Sequence, residues 1–408
     1  MAAIIFANCA VVDGTRNERR EHHHVLVDEG LIREVSDRPL RSAVAQTIDL
    51  KGRTLMPGLI DAHVHALAVD AALGRIAERP VSLLTLQAAK LLEAMLERGF
   101  TTVRDAGGAD GGLAEAVAAG LVKGPRIFPS GMALSQTGGH GDIRPRTQPA
   151  EPCACCNGRL NLSRIADGVA ECRRAARDEL RKGATQIKIM ASGGVASPYD
   201  PIWSLGYSEE EVRAVVEEAR GWRTYVMAHA YTPEAIRRSV DFGVRSIEHG
   251  NLIDRDTALH VAAAGGFVVP TLVTYDALDR FGRELGFPEV SLRKLGEVRE
   301  AGLRSLEILA LARVKIGFGT DLLGAMHRHQ AHEFTIRREA MAAFDIIRST
   351  TTVNAELLNR SGELGVVAPG ARADLIAVDG DPLADIGLLD GQGEHLTHIM
   401  KDGVLYKR

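Results

Sequence analysis

Two histidines separated by one residue, His63 and His65, have a spacing that suits the binding of a metal ion. They close the run LMPGLIDAHVH, in which a Pro-Gly turn precedes apolar residues. In a β-strand successive side chains point to opposite faces, so these two imidazoles share a face and can bind one metal ion. Alternating polar residues on a strand can also simply meet solvent, but Ile60 and Val64 flank this pair with apolar side chains. We therefore predict a metal site at the end of this strand.

Four further polar residues lie within, at the end of or just after predicted strands: Lys188, His229, His249 and Asp321. Together with the first two histidines they form a set of ligands suited to zinc or a similar divalent ion. If the strands close into a barrel, their ends converge and all six residues meet at one point. An aspartate after a strand is otherwise often a helix cap, and this alternative stays open for Asp321.

Lys188 lies between Ile187 and Ile189 in a strand that reads as buried. A buried lysine is costly unless it is neutral or paired. One interpretation is a lysine that reaches solvent or forms a salt bridge. The other is carbamylation by carbon dioxide, because burial lowers the pKa of the amine, the neutral amine reacts, and the resulting carbamate can bridge two cations. Under the second interpretation, the site can hold two metal ions.

The elements that must position these residues follow from hydrophobic patterning. Helical spacing covers residues 83–98, 165–182, 208–220 and 233–242, and buried apolar runs predict strands over 101–104, 186–190, 225–230, 246–249, 267–273 and 315–319. Strands that alternate with helices imply a parallel sheet, and about eight such units favour a closed β/α barrel. Catalytic groups of such barrels emerge at the C-terminal ends of the strands, where the six residues fall.

Both ends of the chain have a different pattern. Short strands with turns are predicted over 4–12, 24–28, 31–36 and 47–50, and about the last 40 residues look the same. We therefore predict an α/β fold, a distorted (β/α)8 TIM-like barrel over residues 57–361. A small, discontinuous β-sandwich domain is expected from residues 1–56 and 362–408.

Composition limits which binding partners and which cellular location we expect. The 408 residues carry a formal net charge of -4, which gives no electrostatic reason to expect nucleic acid or an anionic membrane as partner. The expected partner is a small-molecule substrate. No apolar run reaches the length of a membrane span, and the first residues lack the charged region of a signal peptide, so a cytoplasmic location is expected.

The five cysteines are an odd number in a long chain and do not indicate a disulfide framework. Cys153, Cys155 and Cys156 cluster, which would suit zinc, but no second CxxC or histidine pair lies at finger-like spacing. The surrounding segment, 144–158, is rich in proline and polar residues. We predict a loop of reduced thiols there.

Taken together, these motifs resemble the amidohydrolase superfamily, in its binuclear branch with a carboxylated lysine. The resemblance covers nearly the whole chain and rests on PGLIDAHVH, the strand lysine, the histidine that ends YVMAH, EHG at 248–250 and GTD at 319–321. It implies two divalent metal ions, with zinc expected, and a homo-oligomer. By this resemblance, His63, His65 and Asp321 bind one ion, and His229 and His249 bind the other. Carboxylated Lys188 and a hydroxide are expected to bridge the two ions.

Two such metals would lower the pKa of a bound water and polarise a carbonyl, so hydrolysis is the expected reaction. Asp321, beside the bridging hydroxide, is expected to accept its proton and pass it to the leaving nitrogen. His140 lies in the glycine-rich run QTGGHG, and resemblance to the prolidase-like group implies that it donates to the scissile carbonyl oxygen. A histidine with only a turn role is the alternative. Tyr231, two residues after His229, should face the same way, so its phenol could bind a substrate α-carboxylate; a structural tyrosine is the alternative.

The branch of the superfamily decides the substrate. Mononuclear deaminases place a glutamate three residues after the third histidine, where this chain has Thr232. Lys188 also argues against them and against imidazolonepropionase, whose sequences the chain otherwise resembles. The chain is similar to prolidase-like members that hydrolyse Xaa-Pro dipeptides or N-acyl amino acids, notably N-acyl-proline. The pocket for the C-terminal residue is then expected in the loop 271–288, with Leu272 and Tyr275 as candidate wall residues.

Two alternatives remain. One is an amidase or carboxypeptidase for other N-acyl amino acids, such as ochratoxin-type aromatic amides, because ochratoxin-hydrolysing amidases share much of the pattern. The other is a non-enzymatic barrel scaffold without metals. The complete set of ligands argues against the scaffold.

Overall fold

The computed structural model describes residues 3–144 and 161–408. Cys153, Cys155 and Cys156 lie outside these residues, so the thiol loop stays a prediction. Cys9 and Cys172, inside them, are buried free thiols. No helix in the described parts of the chain is both long and apolar enough to span a membrane.

The strands of the described residues are numbered in chain order. They are β1 (Ile4–Val11), β2 (Arg20–Asp28), β3 (Leu31–Ser36), β4 (Gln46–Asp49), β5 (Thr54–Pro57), β6 (Leu59–Val64), β7 (Phe100–Asp105), β8 (Arg126–Phe128), β9 (Ala133–Ser135), β10 (Ser163–Ile165), β11 (Ile187–Met190), β12 (Val226–Ala230), β13 (Ser246–His249), β14 (Phe267–Val269), β15 (Lys315–Ile316), β16 (Leu375–Val378), β17 (Leu396–Lys401) and β18 (Val404–Lys407).

The α-helices are numbered in the same way, and short 3₁₀ helices cover Leu73–Glu78, Gly324–His329 and Ile386–Leu389. The helices are α1 (Val81–Glu97), α2 (Gly111–Ala118), α3 (Gly168–Arg181), α4 (Glu209–Gly221), α5 (Pro233–Asp241), α6 (Arg255–Ala263), α7 (Leu272–Phe281), α8 (Glu289–Leu311), α9 (His332–Arg337), α10 (Ala343–Ser349) and α11 (Thr352–Leu357).

Strands from both ends of the chain form one eight-stranded sheet, which we call the terminal sheet. Its order is β18-β17-β16-β5-β1-β2-β3, with β4 beside β1. β5 pairs in parallel with β1 and antiparallel with β16, so it joins strands from the two ends. Strands from the two ends therefore share one sheet, and the discontinuous domain that we expect there stays a prediction. Its description as a β-sandwich stays a prediction.

The strands between these ends pair in parallel. One sheet has the order β6-β7-β8, and the other has the order β10-β9-β11-β12-β13-β14-β15. Beyond β15 the chain returns to β6, because Ala62 N donates to Phe318 O and Asp321 N donates to His63 O, each at 2.8 Å. The predicted α/β class with parallel strands is confirmed. The pairing forms two parallel sheets, and their closure into one barrel stays a prediction.

Helix α4 shows why the outer helices form and pack. Ser208 caps its first turn and Glu211 completes a capping box, which satisfies backbone N–H groups that the helix leaves free. Its buried residues Val212, Val215 and Ala219 recur at helical spacing and enter the same core cluster as the apolar residues of β11 and β12. The core therefore lies between the parallel strands and their helices.

Most predicted elements are confirmed within a few residues, but the predicted strand 267–273 is wrong in its second half. β14 ends at Val269, and Pro270, which has no N–H to donate, follows it. Helix α7 then begins at Leu272. The segment 271–288, expected as a loop, therefore begins with a helix.

Candidate active site

One cavity of about 310 Å³ is lined by all six candidate metal ligands and by both residues predicted to bind substrate. Five of the six candidate ligands come from the C-terminal ends of β6, β12 and β13 and from the segment after β15, as expected for parallel strands; Lys188 comes from within β11. His140 and Tyr231 join them from loops. The eight residues are His63, His65, His140, Lys188, His229, Tyr231, His249 and Asp321.

Asp321 lies among three of the imidazoles. Its Oδ1 is 3.1 Å from His65 Nε2 and 3.5 Å from His63 Nε2, and its Oδ2 is 4.0 Å from His249 Nδ1. Ligand atoms of His63, His249 and Asp321 all lie within 4.8 Å of one another, a spacing that suits one metal ion. This triad takes members from both predicted ligand sets. The division of the ligands between two ions stays a prediction.

The imidazoles of the cluster are oriented by hydrogen bonds from one ring nitrogen. Metal-binding histidines typically use one nitrogen in this way and present the other to the ion. Nε2 of His63 is buried and has no hydrogen-bond partner among the described residues, so the side chains fit a bound cation. The orienting partners are a carboxylate, a carbonyl and a hydroxyl: Glu248 Oε2 at 2.7 Å from His63 Nδ1, Gly107 O at 2.9 Å from His65 Nδ1, and Thr271 Oγ1 at 2.8 Å from His249 Nδ1.

The protonation states also suit metal binding. Burial holds the pKa of His229 and of His249 well below the ordinary histidine value, so both rings are neutral. Burial alone would raise the pKa of Asp321, but His63 and the hydrogen bond from His65 outweigh it and hold that pKa well below its usual range. Neutral imidazoles and an ionised carboxylate are the forms that bind metal ions.

Lys188 is 1% exposed. Burial lowers its pKa to about 8, even though the charges of Glu248 and Asp321 act in the opposite direction. The lowered pKa expected from the sequence is therefore present. An amine in this range is partly neutral at neutral pH, which is the form that can react with carbon dioxide.

The two predicted substrate-binding residues lie beside the candidate ligands. His140 stacks on His229 with ring centroids 4.3 Å apart, and its Nδ1 lies 3.0 Å from Asp200 Oδ2. The hydroxyl of Tyr231 lies 2.8 Å from that of Tyr275, which also lines the cavity. Burial raises the pKa of both phenols, so they are neutral hydrogen-bond donors.

The sequence pattern of the Amidohydrolase family matches residues 54–405. The chain belongs to the amidohydrolase family. Ochratoxinase of Aspergillus niger is 33% identical over 368 residues, which cover 86% of this chain and 75% of that protein. A prolidase solved in complex with N-methylphosphonate-L-proline is 54% identical, with a TM-score of 0.98 and 100% of both chains covered. A Xaa-Pro dipeptidase with methionine bound in its active site is 29% identical, with a TM-score of 0.89 and 100% of both chains covered.

This membership confirms the resemblance that the motifs indicated. It makes the chain a hydrolase that acts on amide or peptide bonds. The non-enzymatic scaffold is thereby the weaker interpretation.

Glu248 and Arg104 of this amidohydrolase were missed by the sequence reasoning. Both side chains are fully buried, and Arg104 Nη2 donates to both carboxylate oxygens of Glu248 at 2.9 Å. Burial would raise the pKa of Glu248, but Arg104 and His63 lower it to about 2. The available signal was a carboxylate inside the buried strand β13, next to a predicted ligand. The sequence around Arg104, 144 residues earlier, gave no signal of this pairing.

Replacing Glu248 with glutamine leaves the Arg104 guanidinium buried without its counter-charge. We expect the midpoint of thermal unfolding to fall by about 3 to 6 °C, because breaking a buried pair costs about 3 to 5 kcal/mol. Calorimetry at a fixed metal concentration measures this shift. Glu356→Gln is the control, since Glu356 pairs with Lys315 in a half-exposed position and should shift the midpoint by less than about 2 °C. Equal shifts would contradict a special role for the buried pair.

The rest of the cavity wall of the amidohydrolase is largely apolar. Helix α7 contributes Tyr275 and Leu278, whereas Leu272, the other candidate from the sequence, packs in the core instead of lining the cavity. The expectation for Leu272 is wrong because its side chain packs against α8, where a Cβ added at Gly302 would lie 2.9 Å from Leu272 Cδ2. Further apolar lining residues are Leu73, Ile143, Leu162, Val195, Phe287 and Leu323.

Two candidate ligands have backbone conformations that are uncommon for residues other than glycine. His249 has φ of 75° and Asp321 has φ of 52°. Such left-handed conformations cost energy and persist where the surrounding structure imposes them. His249 is the last residue of β13 and Asp321 lies in the segment after β15, and both side chains line the cavity.

Proposed function

We propose that this amidohydrolase hydrolyses the amide bond of small substrates that end in a free carboxylate, notably Xaa-Pro dipeptides and N-acyl-proline. The convergence of all eight predicted residues in one cavity carries this proposal. The prolidase and the Xaa-Pro dipeptidase among its structural relatives support proline in the leaving position.

The cofactors we propose are two divalent metal ions, zinc in the first place. His63, His65 and Asp321 would hold one ion, His229 and His249 the other, and Lys188, carboxylated by carbon dioxide, would bridge them. When bound, the ions supply a water of lowered pKa and a Lewis acid for the substrate carbonyl. Manganese or cobalt would fit the same ligands.

The residues of the chain then have separate tasks. Asp321, ionised in the cavity, accepts the proton of the attacking water and delivers it to the leaving nitrogen. His140 donates a hydrogen bond to the carbonyl oxygen, where negative charge develops. Tyr231, neutral and joined to Tyr275, donates to the α-carboxylate of the substrate.

The architecture we propose to carry this site has two domains. Residues 57–361 would close their two parallel sheets into a distorted (β/α)8 barrel, and residues 1–56 with 362–408 would form the second domain around the terminal sheet. The two backbone hydrogen bonds that return the chain to β6 support closure. A homo-oligomer and a cytoplasmic location stay predictions.

A second candidate is an amidase for aromatic N-acyl amino acids. The apolar cavity wall favours it, as does the 33% identity to the Aspergillus ochratoxinase. Both candidates share the metal site and the carboxylate-binding phenol. They differ in the side chain that occupies the far end of the cavity.

A substrate panel separates the two. We expect the zinc-loaded protein to cleave N-acetyl-L-proline at least about tenfold more efficiently, in kcat/KM, than N-acetyl-L-phenylalanine or ochratoxin A. N-Acetyl-L-prolinamide, which lacks the carboxylate, should lose about 100-fold or more. The reverse order of proline and phenylalanine substrates would favour the amidase. No hydrolysis of any member with zinc, manganese or cobalt would overturn both.

A further inference from the structure

A glycine-containing segment, residues 193–201 between β11 and α4, forms one wall of the cavity, and we call it the 193–201 segment. It contains no helix or strand, and its residues from Val195 to Tyr199 line the cavity. Nothing in the proposed chemistry uses the segment directly.

The backbone of this segment lies against two site histidines. A Cβ added at Gly194 would be 2.6 Å from His140 Nε2 and 2.7 Å from His229 Nε2. Only glycine allows the backbone to approach this closely. The position of the segment and that of His140 therefore depend on each other through direct contact.

Asp200, on the same segment, makes a second link. Its Oδ2 accepts hydrogen bonds from His140 Nδ1 at 3.0 Å and from Gly194 N at 2.8 Å. Asp200 is only 3% exposed. The ring of His140 is thus oriented by a carboxylate whose own position depends on the 193–201 segment.

One lysine, from a helix that is distant in the sequence, forms hydrogen bonds with the backbone of this segment. Lys294, on α8, donates from Nζ to Gly194 O at 3.0 Å, to Ser197 O at 2.8 Å and to Asp200 O. A lysine ammonium has three N–H donors and no acceptor, so the three carbonyls match its donors one for one. Without helix or strand pairing, these carbonyls depend on such a partner.

We propose that Lys294 is a positioning residue for the reaction. By holding the carbonyls of the 193–201 segment, it fixes Asp200 and Gly194, and through them the orientation of His140 toward the substrate carbonyl. This inference rests on the proposed function, in which His140 donates to the carbonyl oxygen. The observation that carries it is the chain of contacts from Lys294 through Asp200 to His140.

Lys294→Met keeps an unbranched side chain that is one atom shorter and removes the three donors. We expect kcat for N-acetyl-L-proline to fall about tenfold with little change in KM, because a misplaced group weakens transition-state binding selectively. Lys315→Met is the matched control, since Lys315 is also partly buried but pairs with Glu356 away from the cavity, and kcat should stay within about twofold. A raised KM with unchanged kcat would mean that the segment is only a wall, and would overturn the proposal.

A double-mutant cycle shows whether Lys294 acts through His140. His140→Asn alone should lower kcat about 100-fold, and Lys294→Met added to it should cost less than about twofold more. If the two losses multiply, Lys294 acts by another route and the proposal is overturned. Should Lys294→Met fail to fold, Lys294→Gln is measured in the same cycle.

A structural readout keeps this test separate from the proposed function. Crystal structures of the metal-loaded wild type and Lys294→Met should show the His140 Nδ1 to Asp200 Oδ2 bond in the first and its loss in the second. An unchanged bond in the variant would overturn the positioning role even if the wild type cleaves N-acetyl-L-proline. Conversely, a lost bond in a protein that cleaves no member of the panel would support the positioning role and refute the proposed function.

Discussion

Replacing Asp321 with asparagine is expected to lower kcat for N-acetyl-L-proline by about 10³- to 10⁴-fold. The amide keeps the shape of the side chain but cannot accept the proton of the attacking water or deliver it to the leaving nitrogen. The wild-type carboxylate is ionised and so has a site for the proton, because His63 and the hydrogen bond from His65 outweigh the effect of burial and hold its pKa well below the usual range. Steady-state kinetics measure the loss, and metal analysis of the same sample shows whether the ions are retained.

Asp254→Asn is the matched control for this substitution. Asp254 caps helix α6 by accepting a hydrogen bond from Thr257 N, and asparagine caps helices about as well as aspartate. Its kcat should therefore equal that of the wild type. If Asp321→Asn retains both its metal and more than about a tenth of kcat, the proton-transfer role is wrong.

Replacing Lys188 with methionine should remove most of the bound metal and lower kcat/KM by about 10³-fold, which corresponds to about 4 kcal/mol of transition-state stabilisation. Methionine fills a similar volume but cannot become a carbamate. Metal content by plasma emission spectroscopy and kcat/KM are the two readouts. Adding acetate or propionate should restore part of both, because a small carboxylate can occupy the place of the carbamate. A variant with full metal content and activity would refute the bridging role.

The pH dependence of metal loading follows from the same amine. With a pKa of about 8, the neutral fraction rises from about one tenth at pH 7 to about nine tenths at pH 9. At constant dissolved carbon dioxide, activation of the metal-free wild type by zinc should therefore be about tenfold faster at pH 9 than at pH 7. A rate that does not depend on carbon dioxide would contradict carbamylation.

The sequence predicted the candidate ligands because strand geometry is regular. Alternation places His63 and His65 on one face, and each of the other ligands lies within or just after an apolar run short enough to be a strand. Parallel strands bring their C-terminal ends together, so residues far apart in the chain could be expected to meet. The structure places all of them in one cavity.

The residues that orient these groups could not be predicted in the same way. Glu248 pairs with Arg104 across 144 residues, and Lys294 reaches the carbonyl of Gly194 across 100. Neither pair follows a repeat or a spacing rule, because the first depends on how strands of two different sheets face each other and the second on how α8 packs against the 193–201 segment. The place of Tyr275 in the cavity wall could not be predicted either, since the direction of its side chain depends on where α7 begins.

The terminal sheet has a consequence for the order in which the site becomes complete during synthesis. β5 is followed after one residue by β6, which carries His63, and β5 is bordered on one side by β16. β16 to β18 lie in residues 375–407, so the ribosome makes them after every proposed metal ligand. Since chains emerge from the N-terminal end, the strand that leads to His63 gains its last neighbour only when the remaining ligands already exist. A nascent chain that stops after residue 361 therefore contains every proposed ligand but lacks the strands that complete the sheet beside β5.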